Sequence, residues 1–136
     1  MTVFVLDSSA LIRFFDSEPG AARVEAILID GVAGSGRVVM SAVQWGEFAG
    51  NMRKRFGAAR EVAVLASPAT SDVEIIPATA ERAVRAAELK IDHGISYADA
   101  FAIELAMDTP DHVLVTADFG FKAVDDLAKI EFLPPK

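Results

Sequence analysis

A chain of 136 residues, 52% of them hydrophobic and none of them cysteine, can bury one sizeable core and excludes disulfides, thiolate nucleophiles and thiolate metal sites. Its formal charge of −7, from 20 acidic against 13 basic residues, argues against a general nucleic-acid-binding module, whose footprint is basic. The opening apolar run has no basic flank and soon meets Asp7, so it reads neither as a signal peptide nor as a membrane span, and a cytoplasmic protein is expected.

The first β-rich run is Val3–Leu6, which ends on Asp7 and is followed by two serines and a stretch with helical spacing. Ala21–Val32 places Val24, Ile27 and Leu28 on one helical stripe. The "GVAGSG" that closes it lacks the Gly-Lys-Ser/Thr ending of a phosphate-binding loop and reads as a helix stop and turn. Arg37–Met40 is a second strand. Ser41–Phe56 is a helix with Trp45, Phe48, Ala49, Met52 and Phe56 on its apolar side, and Ser41 with Gln44 resembles a capping box at its start. Ala58–Ala66 adds a helix before the Ser67–Ser71 turn, and Val73–Ile76 is a third strand. Helices over Thr79–Ile91 and Ser96–Met107, a strand at His112–Val115 and a weaker one at Lys129–Leu133 complete the chain.

No linker, repeat or low-complexity segment interrupts this order, which predicts one domain over residues 1–136. Strands that are short continuous apolar runs alternating with helices predict a parallel sheet covered on both faces, a doubly wound α/β fold. Ligands of such sheets bind beyond the carboxyl ends of the strands, near a switch in strand order. His93 and His112 show no ligating spacing, and no Gly-x-Ser-x-Gly elbow accompanies any serine.

Four acids stand out. Asp7 follows the first strand and Asp118, in "VLVTADFGF", follows the fourth, so both belong at the carboxyl edge of the sheet. Either acid can instead cap the helix after it. Asp99 is the only charge in "ISYADAFAI", where Ser96 three residues earlier allows a capping box, yet the apolar surroundings predict burial, which a carboxylate tolerates only when paired or metal-bound. Glu47 lies early in the helix after the second strand, off its apolar stripe and open to solvent. Two carboxylates about 4 Å apart repel by roughly 4 kcal/mol at an effective dielectric of 20, so a convergent group needs protons or divalent cations. Oxygen-only ligands suit Mg²⁺ or Mn²⁺, which serve phosphoryl transfer and offset the charge objection to an anionic substrate.

The blocks "VLDSSALI", an isolated Glu47, "SYADAFAIELA" and "LVTADFGF", in this order and spacing, resemble PIN-domain ribonucleases, in particular the VapC-like toxins of bacterial toxin–antitoxin pairs. The resemblance implies a three-layer α/β/α sandwich with a small parallel sheet of four to five strands. It implies Mg²⁺- or Mn²⁺-dependent cleavage of RNA, tRNA prominent among the targets, by Asp7, Glu47, Asp99 and Asp118. Ser9 and Thr116 match positions that support the acids by hydrogen bonding, and a homodimer and a small VapB-like antitoxin are the implied partners. Asp7 is expected as a metal ligand with the serines after it supplying the helix cap. Basic residues available to RNA are Arg13, Arg53, Lys54, Arg55 and Lys122, although "RKR" at 53–55 also suits a helix end favoured by the macrodipole. Relatives often carry another acid two residues after the one matching Asp118, where this chain has Gly120.

Two other readings are open: a PIN-like binding module without activity, and an α/β phosphatase or phosphoacceptor domain with Asp7 as nucleophile. Retention of all four acids counts against the first. Ser9, where the haloacid-dehalogenase type expects a second Asp, counts against the other.

Overall fold

The computed structural model describes all residues, Met1–Lys136. Its centre is a five-stranded, wholly parallel sheet of β1 (Val3–Leu6), β2 (Arg37–Ser41), β3 (Glu74–Ile76), β4 (His112–Thr116) and β5 (Lys129–Phe132), in the order β3-β2-β1-β4-β5. The chain winds outward from β1 through β2 to β3 and then returns to β4 on the other side of β1. The switch in strand order therefore falls between β1 and β4, where Leu6 pairs with Val115.

Six α-helices cover the sheet: α1 (Ser8–Phe15), α2 (Ala21–Ala33), α3 (Ala42–Phe56), α4 (Ala58–Leu65), α5 (Ala80–His93) and α6 (Tyr97–Ala106). Alternation along the strands divides the core in two. Leu6, Val38, Met40 and Val115 face Leu11, Ile27, Phe48 and Met52 from α1, α2 and α3. Val3, Val5, Val39 and Leu114 face Ala102, Ile103 and Leu105 from α6, with Phe121 beside them. This is a three-layer α/β/α sandwich, and each fully buried aliphatic or aromatic side chain in it contributes about 1.5–3 kcal/mol. No helix is long and apolar enough to cross a membrane.

Elements expected from the sequence recur with shifts of a residue or two at their ends. Two short 3-10 turns, Pro68–Thr70 and Phe119–Val124, are additional. The Gly-rich segment does stop α2: Gly34 takes a left-handed conformation at φ 78°, and its amide reaches back to the Asp30 and Gly31 carbonyls. Trp45 is only half-buried, tilted against Phe48 at 5.7 Å between centroids. The burial expected around Asp99 holds for its helix, since every residue from Ala100 to Ala106 is buried. Glu104 sits there between Arg82 at 2.9 Å and Arg85 at 3.0 Å, a pairing that ties α5 to α6.

Candidate active site

Asp7 stands at the carboxyl end of β1 and begins α1. Its Oδ1 accepts from the Ala10 amide at 3.0 Å and from Ser9 Oγ at 2.7 Å, and its Oδ2 accepts from Thr116 Oγ1 at 2.6 Å. The first of these bonds is a helix N-cap, worth about 1 kcal/mol. The cap expected from the serines is therefore made by Asp7 itself, and Ser9 and Thr116 both donate to it. Because each hydroxyl proton is committed to Asp7, the 3.2 Å approach of Ser9 Oγ to Thr116 Oγ1 is not a third simultaneous hydrogen bond. A carboxylate with donors on both oxygens is poorly placed as a nucleophile, which counts further against a phosphoacceptor.

Burial dominates the electrostatics of Asp7. At 2% exposure its carboxyl is pushed up to about 6, mainly by desolvation; hydrogen bonds from Thr116, Ser9 and Ala10 pull it back, and the Asp99 charge adds to the rise. Asp99, half-buried in the first turn of α6, is also pushed up to about 6, first by desolvation and then by the charges of Asp118 and Glu47. The Ser96 hydroxyl caps α6 through the Asp99 amide at 3.1 Å and offsets part of that rise.

Asp118 follows β4 and caps the Phe119–Val124 turn, its Oδ1 accepting from the Gly120 amide at 2.8 Å. Its own amide donates to Thr116 Oγ1 at 2.9 Å, so one threonine hydroxyl joins the two strand-end acids. A Cβ at Gly120 would stand 3.0 Å from Asp118 Oδ1, so the glycine present here lets this turn close tightly on Asp118. Glu47 is exposed on α3, with Oε1 accepting from Ser8 Oγ at 2.7 Å. At the β1/β4 switch the Thr116 hydroxyl thus joins Asp7 to the Asp118 backbone, the Asp99 charge reaches Asp7, and the charges of Asp118 and Glu47 reach Asp99.

None of the four pairs with a lysine or arginine in the chain's ion pairs. They do not form a closed ligand set either: no three His, Asp or Glu side chains are gathered around one point for an ion. The donor chemistry fits a hard divalent cation, since it is all carboxylate oxygen, uncompensated and mutually repelling, with Asp7 oriented by three donors.

Gln44 is a residue whose part the sequence did not reveal. It does not complete a capping box: Ser41 Oγ alone caps α3, accepting from the Val43 amide at 3.2 Å. Fully buried, Gln44 accepts from the Ser8 amide at 2.8 Å and donates from Nε2 to the Ala98 carbonyl at 2.6 Å. It locks together the starts of α1 and α6 from a seat on α3, the three helices that begin with or carry Asp7, Asp99 and Glu47. Its spacing of three from Glu47 places both on one helical face, which is the only sequence signal for it.

The basic residues divide. Arg13 is a correction: it is 6% exposed and donates to the Pro19 carbonyl at 2.6 Å and the Pro134 carbonyl at 2.7 Å, which holds the C-terminal segment and leaves it no free face for RNA. Arg53, Lys54 and Arg55 lie about 9 Å or more beyond Glu47 along α3, in its last turn. There Arg53 pairs with Glu61 at 3.1 Å and Arg55 with Asp16 at 2.7 Å. Lys122 lies in the turn that Asp118 caps.

A profile of the PIN domain matches residues 4–127. The chain belongs to the PIN-domain family. No curated protein sequence matches it. Among solved structures, this PIN domain is similar to VapBC2 from Rickettsia felis bound to a promoter DNA fragment, at TM-score 0.74 and 16% identity over 98% of this chain and 100% of that one. DNA-bound VapBC from Salmonella typhimurium gives 0.72 and 18% over 97% and 98% of the two chains. VapC20 from Mycobacterium tuberculosis, a toxin that cleaves the sarcin–ricin loop, gives 0.69 and 20% over 90% and 95%. At these identities the likeness is one of fold, and it runs nearly end to end along the PIN domain.

Proposed function

We propose that this PIN domain is a divalent-metal-dependent endoribonuclease, the toxin of a toxin–antitoxin pair. One observation supports the reading: beside the switch point of the sheet the charges of Asp118 and Glu47 reach Asp99 and that of Asp99 reaches Asp7, and none of the four pairs with a cation of the chain. Asp7, Asp99 and Asp118 would hold Mg²⁺ or Mn²⁺, which when bound would supply an activated water and offset the charge of the phosphodiester. Thr116 and Ser9 keep Asp7 in one orientation by donating to it. Glu47, with Oε1 engaged by Ser8, has Oε2 left to complete the coordination or to orient the attacking water for in-line attack.

Several of the similar structures are of VapBC, and the partner proposed for this chain is accordingly a small VapB-like antitoxin that blocks the site. The RNA substrate, tRNA being one candidate, the homodimer, the single domain over 1–136 and a cytoplasmic setting belong to the same proposal. Incubation of purified protein with cellular RNA and Mg²⁺ or Mn²⁺ tests it. Discrete fragments that vanish with chelator and return with excess metal support the nuclease. Intact RNA, with no growth arrest on expression, points to a binding module without activity.

A further inference from the structure

Phe119 is the residue after Asp118, and it is 38% exposed, whereas Phe121 two positions on is 1% exposed and fills the core. Packing explains the second ring and not the first. Phe119 lies parallel to Phe132, with 5.6 Å between centroids and 9° between planes, so Phe132 fixes the plane of the exposed ring. Phe132 pairs in register with Thr116, and residues paired across parallel strands share a face, so Phe132 stands one strand spacing, about 4.8 Å, from the threonine that donates to Asp7. Lys122 makes no ion pair with any acid of the chain; its Nζ lies 5.3 Å from the Phe119 ring centre and 5.9 Å from that of Phe132.

We propose that Phe119 and Phe132 form a stacking platform for an unpaired nucleobase of the substrate, with Lys122 meeting an adjacent phosphate. The inference rests on the nuclease reading and assigns these residues to the grip on an unstacked base beside the cut. Every base offers a π-face, so an aromatic platform grips single strands with little regard to sequence. A duplex hides those faces and is held through rows of phosphate contacts, which a net charge of −7 opposes. One platform and one lysine beside four carboxylates suit a nucleotide or two, extended across the site.

The test measures affinity for a labelled single-stranded RNA oligonucleotide and for its blunt duplex in an Asp99→Asn background, with Phe119→Ala or Phe119→Trp added. Phe119→Ala weakens single-strand binding roughly tenfold and leaves duplex binding unchanged, while Phe119→Trp retains it. With Trp45→Phe also present, the single remaining indole of Phe119→Trp is quenched as the oligonucleotide binds, a readout that loss of fold cannot imitate. Equal single-strand affinity with and without Phe119→Ala, an equal loss for both RNAs, or no RNA binding by the background overturns the platform. Metal-dependent cleavage by the unaltered chain together with Phe119-independent binding removes the platform alone. Phe119-dependent binding without cleavage removes the nuclease alone.

Discussion

Thr116 donates its hydroxyl to Asp7 Oδ2 at 2.6 Å, joining the carboxyl ends of β4 and β1 across 109 positions of sequence. The same oxygen accepts from the Asp118 amide, so a single atom sets both strand-end acids. Thr116→Val keeps the shape, removes that atom and leaves a buried carboxylate short of a donor, which pushes Asp7 further up. Calorimetric Mn²⁺ affinity is expected to fall about tenfold, within the range for loss of a group that orients a ligand, and Thr116→Ser is expected to restore most of it.

The raised Asp7 and Asp99 carboxyls set the pH dependence of the metal-free protein. Both stand near 6 folded against 3.8 unfolded, so between those values the folded state binds protons that the unfolded chain releases. That stabilisation is complete below about pH 3.8 and is lost as pH rises through about 6; for the buried Asp7 it amounts to about 3 kcal/mol. Asp108, lowered chiefly by its hydrogen bond from Arg82, loses its contribution only at more acid pH, outside this window. Melting in chelator is expected to fall from pH 4 to pH 7, with a flatter profile in Asp7→Asn, and added Mn²⁺ is expected to recover the loss at the upper end.

Gln44→Leu removes both ties between α3 and the starts of α1 and α6, leaving the buried Ser8 amide unpaired while the Ala98 carbonyl keeps its bond within α6. A cost of about 1–3 kcal/mol for the orphaned amide is expected in urea unfolding. Gln44→Glu keeps the acceptor for Ser8 but loses the donor to Ala98 and adds a fifth negative charge behind the acids. Its metal affinity is therefore expected to change with pH differently from that of Gln44→Leu, although both are destabilised.

Much of this was readable from the residues, for identifiable reasons. β1 and β4 are continuous apolar runs ending in an acid, and a parallel buried sheet is what such runs form. Asp99 betrayed itself as a lone charge on the start of a helix buried through Ala106. Gln44 did not, because its partners Ser8 and Ala98 lie 36 and 54 positions away and only the tertiary fold brings them near. Arg13 looked like any surface cation until the C-terminal segment folded over it. Phe119 was hidden in a turn of six residues, too short to show a period, in which Phe119 and Phe121 look alike but face opposite fates.

If Lys122 leaves the aromatic pair to meet a phosphate, Lys122→Ala removes one counter-ion release. The slope of log affinity against log salt for the single strand is then expected to fall by about one unit. Lys54→Ala, in the last turn of α3, is expected to leave that slope unchanged.

The convergence of four carboxylates on one metal-dependent site is tested most directly by the rate of RNA cleavage in saturating Mn²⁺, compared between the unaltered chain and Asp99→Asn. Asparagine keeps the size and the Ser96 cap on the backbone amide but removes the charge. Since loss of an outer partner already costs 10–100-fold, loss of a ligand is expected to lower the rate by roughly 100-fold or more, with an unchanged melting temperature or a higher one. Cleavage at the parent rate by a folded Asp99→Asn, or cleavage that persists in chelator, contradicts the account.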